Sequence, residues 1–444
     1  MENGSEPETG RSVVPRRVWT STVLLGLGRV WGSACTLSIL ALLARHLTGE
    51  GFGRLTFYLA VFLVLDSFVD LGTGHAAVQR SASDEGLAHA VLRTARRVRL
   101  LTGLVGVALV GGGAFLAGEP GAGWILVAAL YPVTHTLELS TLVFKNRISW
   151  SRPVLVRAFA SGLSLLFVVD AWAAGIREPA VFLVAIAAGS AIGNGLLHAV
   201  GREVLPPRSP RPAPLVPFVR AAVPMGIAAL LQQVYFWVDN LFVRALVGTE
   251  PLGHYNLAVR VMSFGIMAGV YATLAALPWL TREHEAGRLG SATARLAQPM
   301  LALAALGTGL LWPVAGPLLE FLGGDPAFAS AGEALRWLLL AVLAVYLGAA
   351  LLTAVVASGR SGAVLWISIT ALLTNLLGNA WLVPTRGLAG AAAATLATEV
   401  VVALGAAMAL ARSGAAPWNE RRLAWLAAPL AFVVGRALGA ALFG

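Results

Sequence analysis

Cysteine is nearly missing from this chain. Cys35 is the only one in 444 residues, so intrachain disulfides and cysteine-based metal centres are excluded. It falls inside an apolar run and reads as a buried structural thiol. Lysine is as scarce: Lys145 is the single one among 32 basic residues. Beside heavy Ala and Gly use this is the pattern of a GC-rich genome, so the choice of Arg over Lys at any one site carries little information. Charge of either sign is sparse, with 12% charged and 57% hydrophobic residues and a mean hydropathy of +0.77. A soluble chain carries about a quarter charged residues, so water is not the main solvent here. No Walker loop, His/Cys metal cluster or nucleophile constellation occurs. Gly111-Gly112-Gly113 lies within an apolar run and cannot cradle phosphate. No catalytic residue, cofactor or metal is expected.

What fills the chain is apolar runs long enough to cross a bilayer. They lie near 18–44, 55–79, 100–118, 122–144, 153–175, 179–200, 217–247, 252–280, 293–322, 331–357, 361–384 and 387–411, with a thirteenth at 423–443. Runs of this length suit helices that satisfy their own backbone hydrogen bonds, not the roughly ten-residue strands of a barrel. The expected fold class is an all-α polytopic membrane protein. The first run is too long for a signal-peptide core and is expected to remain as a span. When the basic residues are assigned to alternate ends of the spans, 22 fall on one side, starting with Arg11, Arg16 and Arg17. Seven fall on the other: Arg45, Arg54, Arg177, Arg244, Arg336, Arg386 and Arg436. The positive-inside rule then puts the N-terminus in the cytoplasm. The net charge of +10 is a matter of topology, and no nucleic-acid partner is expected.

A pattern near one end returns about 200 residues later. LARHLTGEGFGRLTFYLAVF (43–62) matches FVRALVGTEPLGHYNLAVRVM (242–262), with Glu50-Gly51-Phe52-Gly53 on Glu250-Pro251-Leu252-Gly253 and, with one residue of slippage, Arg45 on Arg244. A repeated apolar hairpin at a half-chain interval is the mark of a transporter built from two similar bundles. Residues 201–217 hold six prolines and four charges, the composition of an extended connector. The expected domains are a cytoplasmic tail (1–17), a six-helix lobe (18–200), a Pro/Arg-rich cytoplasmic linker (201–216), a second six-helix lobe (217–412) and a C-terminal segment (413–444) carrying the thirteenth helix. Six is even, so the lobes enter the membrane in the same direction and are parallel repeats.

Ionisable residues inside spans cost about 2.5–3.5 kcal/mol at mid-helix and point to function. Steps of three or four residues line up Thr22, Gly26, Arg29, Ser33 and Thr36 in the first span, and Asn256, Arg260, Ser263, Met267 and Tyr271 in the eighth. The seventh span offers Gln232, Tyr235 and Asp239; the fifth, Arg157, Ser161 and Ser164; the eleventh, Asn375 and Asn379. Facing one cavity, Arg29, Arg157 and Arg260 would make it cationic and suited to phosphate or carboxylate. Alternatively each arginine pairs internally with Asp239, Asp70 or Glu138, or reaches an interface. Asp66 and Asp70 could bind a proton or Na⁺, or anchor a helix. His135 with Glu138 forms a candidate proton relay, and Glu399 near Thr395 is a candidate coupling residue. Gly28 and Gly32 have the spacing of close helix approach.

LARHLTGEGFGRLTFYLAVFLVLDSFVDLGTGHAAVQR (43–80) resembles the first hairpin of polysaccharide-repeat-unit flippases, the Wzx-like branch of the multidrug/oligosaccharidyl-lipid/polysaccharide exporter superfamily. VDNLFVRALVGTEPLGHYNLAVRV (238–261) resembles that family's seventh-to-eighth-helix hairpin at Asp239, Gly253, Tyr255, Ala258 and Arg260. Asn375 to Asn379 through GLAGAAAATLATEV (387–400) resembles its last helices. The resemblance implies a V-shaped pair of six-helix lobes in a bacterial plasma membrane, around a cationic cavity that Arg29 and Arg260 line. It implies as cargo an oligosaccharide on an undecaprenyl diphosphate carrier, moved between leaflets by alternating access. Membrane lipid and a glycan polymerase or other assembly proteins would be the partners. Gln232, Tyr235, Asn256 and Asn375 would then offer hydrogen bonds to sugar. A cation-coupled multidrug exporter of the same superfamily and a non-transporting scaffold for glycan assembly are the rival readings.

Overall fold

The computed structural model describes residues 16–82, 88–142, 144, 151–205, 213–417 and 427–443, and every regular element among them is helical. Residues 1–15 of the expected tail, 206–212 of the linker and 423–426 of the thirteenth segment lie outside the described residues. The first half comprises α1 (Arg16–His46), α2 (Gly49–Asp70), α3 (Thr73–Ala82), α4 (Ala88–Leu116), α5 (Ala122–Ala128), α6 (Tyr131–Glu138), α7 (Ser151–Ala173) and α8 (Pro179–Arg202). The second comprises α9 (Leu215–Leu246), α10 (Thr249–Glu285), α11 (Leu289–Leu311), α12 (Ala315–Gly323), α13 (Gly332–Ala357), α14 (Ser361–Ala411) and α15 (Ala427–Phe443). Nine described helices are long and apolar enough to cross a membrane, ten if α9 with its bend is taken as one span.

Several expected spans are broken, each for a local reason. The run at 55–79 ends at Asp70 because Leu71 and Gly72 both adopt left-handed backbone (φ 41° and 75°), and the chain restarts as α3. The run at 122–144 divides into α5 and α6, since Pro132 has no N–H to continue the ladder. The run at 293–322 stops before Pro313, and α12 is a separate short helix. α9 bends by 44° between Pro224 and Ala229. The eleventh and twelfth runs form one element that reverses at Gly387 (φ 55°, ψ −131°), and Gly378 packs on Ala394 and Gly390 on the backbone of Leu382, an antiparallel hairpin. The 17-residue α15 is short of a full span and lies along α11, where Gly309, Gly435 and Gly439 bring the two backbones together.

The two halves meet where the repeat falls. Thr48 caps α2 by accepting from the Gly51 N–H at 3.1 Å, and Glu50 in the first turn suits the positive helix end. The corresponding end of α10 lies directly against it. A Cβ on Gly53 would sit 1.8 Å from the Thr249 carbonyl oxygen, and one on Gly253 2.9 Å from the Gly53 nitrogen. Two helix N-termini approach this closely only because both copies carry glycine there. Asn256 donates to Thr56 Oγ1 across the seam at 3.0 Å. Phe52, Leu55, Leu252 and Tyr255 are fully buried around it, so the largest apolar core of the molecule joins the halves.

Candidate functional site

Away from the seam, at the level of Gly28–Leu40 of α1, the halves enclose a cavity of about 1470 Å³. One wall is built by α1, α2, α3, α4, α6 and α7, the other by α10 with Ala229 of α9. Small residues on α1 make room: Gly28 packs on Val154 and Gly32 on Ser161. Across the opening, Ser33 Oγ reaches Met267 Sδ at 3.5 Å. Arg29, Ser33 and Thr36 from the first polar stripe and Arg260, Ser263 and Met267 from the second all line this space, as do Arg157 and Ser161. The side chain of Thr22 lies outside the described residues.

The cavity carries charge of both signs, distributed unevenly. On the first wall each acid has a partner. Arg157 pairs with Glu138 at 2.5 Å, Arg99 with Asp70, and His135 Nδ1 with Asp66. Arg99 is buried and also donates to Thr73 Oγ1 at 2.8 Å and to the His135 carbonyl at 2.9 Å. Arg29 and Arg260 differ, because among the described residues no carboxylate pairs with either. The guanidinium of Arg260 lies over the Trp237 ring, 5.6 Å from its centre, and Arg29 is exposed to the cavity. The internal pairing open to all three arginines is therefore realised only for Arg157. His135 pairs with Asp66 and not with Glu138, which corrects the expected relay. The two residues are three apart on α6 and point to different partners.

The structure separates the other sequence-selected residues from this cavity. Tyr235, Asp239, Asn375 and Glu399, with Thr395, surround a closed space of about 20 Å³ inside the second half. There Tyr255 donates to Asp239 Oδ2 at 2.6 Å, the Asn240 N–H to Asp239 Oδ1 at 2.8 Å, and Tyr235 to Glu399. Asn379 donates to Asn375 Oδ1 at 3.1 Å. Asn256 is buried in the seam, and Gln232 is exposed outside the cavity lining. Grouping all of these on one surface was the error of helical spacing alone. It fixes which residues share a face, not which neighbour that face meets. Replacing Asp239 with leucine would strand the Tyr255 hydroxyl and the Asn240 amide, at a cost of about 3 kcal/mol. The expected outcome is a clearly lower apparent melting temperature in detergent, measured by thiol-independent fluorescence unfolding.

The comparisons with known proteins match this architecture. The model of the polysaccharide biosynthesis protein family matches residues 18–284. The chain belongs to that family. The MatE family model matches residues 224–381, so the second half also carries the signature of a neighbouring family. No curated protein matches the chain. Among solved structures, lipid II flippase MurJ in an inward closed conformation superposes with a TM-score of 0.75 at 12% identity, over 95% of this chain and 98% of that one. An inward-facing multidrug resistance MATE transporter of the MOP superfamily gives 0.69 at 15%, over 90% and 99%. The Vibrio cholerae MATE transporter VcmN in its bent form gives 0.54 at 16%, over 95% and 98%. At these identities the likeness is one of fold.

For a polysaccharide biosynthesis family member the notable additions are Arg99 and Tyr131, which sequence reasoning leaves out of the cavity. The loop charge pattern places Arg99 on a basic flank. The signal that identifies it is Asp70, a carboxylate in the last turn of α2, where the helix dipole is unfavourable and a cation is needed.

Proposed function

We propose that the protein is a flippase that moves an undecaprenyl-diphosphate-linked oligosaccharide, a surface or exopolysaccharide repeat unit, from the cytoplasmic to the outer leaflet. It does so by alternating access of two six-helix lobes. It acts without catalysis as a multi-pass protein of a bacterial inner membrane, with its N-terminus in the cytoplasm and glycan polymerase or other assembly proteins as partners. The observation that carries the reading is the pair Arg29 and Arg260. These two guanidinium groups face one large cavity from opposite halves, and among the described residues no carboxylate pairs with either. A cation kept unpaired inside a membrane protein is stabilised by an anion that arrives, and guanidinium matches phosphate oxygens bidentately. The 1470 Å³ volume accommodates a polar head group that lipid would exclude.

The test is flipping of an undecaprenyl-diphosphate oligosaccharide in proteoliposomes. Arg29→Ala and Arg260→Ala are each expected to cut the initial rate at least about tenfold while leaving the folded fraction unchanged, one charge-assisted contact being worth about 1.5–3 kcal/mol. Full activity in both variants would remove the diphosphate from this cavity. The second reading, a cation-coupled multidrug exporter, draws on the MatE match and on Asp66, Asp70 and Glu138 in the cavity wall. It predicts cationic dye export that survives loss of Arg29.

A further inference from the structure

We propose that Trp237 is the positioning residue for Arg260: its ring holds the guanidinium at the cavity surface without engaging the N–H donors, which stay free for a phosphate group. This inference rests on the reading of the cavity as a diphosphate site. It adds to that reading a residue behind the cavity lining that sets how well the second half binds the anion.

Among the described residues five arginines lie against aromatic rings, and four of them also spend N–H groups elsewhere. Arg45 donates to the carbonyls of Phe321 and Leu322, and Arg80 to the Pro217 carbonyl at 2.7 Å. Arg244 donates to Glu119, and Arg295 pairs with Glu283 at 3.7 Å. Arg260 is the exception. It makes no hydrogen bond or ion pair with a described residue, and its guanidinium carbon lies 5.6 Å from the centre of the Trp237 ring. A ring face attracts a cation through its negative quadrupole and offers no lone pair, so the five donors of the guanidinium are left for an acceptor. A carboxylate in the same place would also stabilise the cation, but it would occupy the N–H edge that a phosphate needs. Arg29 faces a different demand, since it is exposed to the cavity while Arg260 is half-buried.

The ring is itself held from behind. On α9, Trp237 lies between Tyr235, which donates to Glu399 of α14, and Asp239, which accepts from Tyr255 of α10 at 2.6 Å. Tyr235 and Asp239 are four residues apart and share a face, while Trp237, two from each, leaves the helix on the other side. The two anchors fix the rotation of α9 about its axis, and with it the place of the ring against Arg260. Phe236 meets the Trp237 ring edge-on, 5.3 Å between centres, and limits its tilt. The closed polar cluster of the second half, which does not touch the cavity, thus bears on the anion site through one ring.

The experiment is isothermal titration of the full-length protein in nanodiscs with inorganic pyrophosphate, comparing Trp237→Phe with Trp237→Met. Both variants give up volume, but only phenylalanine keeps a ring face. Trp237→Met is expected to weaken binding about tenfold, and Trp237→Phe no more than about threefold. In an Arg260→Gln background, where Arg29 still meets the anion, Trp237→Met is expected to weaken binding by no more than about twofold, because the group it positions is gone. A tryptophan that only fills space would make the phenylalanine and methionine variants alike, and would weaken binding equally in both backgrounds. Either result overturns the proposal while leaving the anion site intact. Absence of pyrophosphate binding in wild type would instead overturn the cationic-cavity reading, and this inference with it. Should Arg260→Gln bind too weakly to titrate, the comparison of phenylalanine with methionine decides alone. Should Trp237→Met fail to fold, Trp237→Leu takes its place with the same expected loss.

Discussion

Gly53→Val is expected to abolish the folded protein in detergent, and Gly53→Ala to lower its apparent melting temperature sharply. A Cβ at this position would lie 1.8 Å from the Thr249 carbonyl oxygen and 2.7 Å from its carbon, both backbone atoms of the partnering helix end. Backbone cannot rotate away as a side chain would, so α2 and α10 must separate along the seam. That separation opens gaps around Phe52, Leu55, Leu252 and Tyr255, the fully buried side chains that tie the halves together. Overpacking of this kind costs about 1–3 kcal/mol even where neighbours can shift, and the rigid contact here puts the effect at the upper end. Gly112 and Gly113 provide the contrast within the same protein. Nothing lies within 4 Å of a Cβ at either position on α4. Alanine there is expected to be neutral or stabilising by about 0.5–1 kcal/mol, because glycine weakens a helix interior. Parallel melting curves of the three alanine variants check the claim. A Gly53→Ala curve that overlays Gly112→Ala would mean the seam is not the close backbone contact described.

The repeat was legible in the sequence, with glycine kept at Gly53 and Gly253, but the contact between its two copies was not, because a repeat does not say which surfaces meet. The apolar runs placed most helices, but they passed over Leu71-Gly72, Pro132 and Pro313. Hydropathy averages over a break that one missing N–H or one positive φ produces. Arg29, Arg157 and Arg260 were legible as cavity residues because a charge within a span must face something other than lipid. The internal cluster of Tyr235, Asp239 and Glu399 was visible as polar spacing, yet its direction depends on how α9 and α14 are rotated against α13. Such rotation is a property of packing that no single helix encodes. The choice of partners among Asp66, Asp70, Glu138, Arg99 and His135 was illegible for the same reason, since these residues come from three different helices.

Arg244→Glu is expected to loosen the seam, and adding Glu119→Arg to restore most of it. Arg244 from the second half reaches Glu119 in the turn after α4, with its guanidinium 4.1 Å over the Phe57 ring. Arg54 approaches the other oxygen of Glu119 at 3.9 Å and Glu178 at 3.8 Å. The repeat puts Arg45 at the equivalent place in the first half. Arg45 ends on the carbonyls of Phe321 and Leu322 and over the Phe321 ring, with no carboxylate among the described residues. The two arginines are the same in sequence and unequal in energy. Partly buried charge pairs lie between the weak exposed and strong buried limits, so reversing Arg244 should shift the closed-to-open balance by about 2 kcal/mol, or roughly thirtyfold. In the proposed alternating-access cycle this end opens, so the ion pair would set how often it does. The measurement is disulfide formation between Gly49→Cys and Glu250→Cys, since a Cβ added at Gly49 would meet the Glu250 side chain across the seam, in a Cys35→Ser background made simple by the single native cysteine. Cross-linking should slow in Arg244→Glu, recover largely in the charge swap, and change little in Arg45→Ala. Recovery stays incomplete because the swap does not rebuild the contact with Phe57 and sets a second cation beside Arg54. A swap that fails to recover at all would mean that the ring contact and the repulsion from Arg54 outweigh the ion pair.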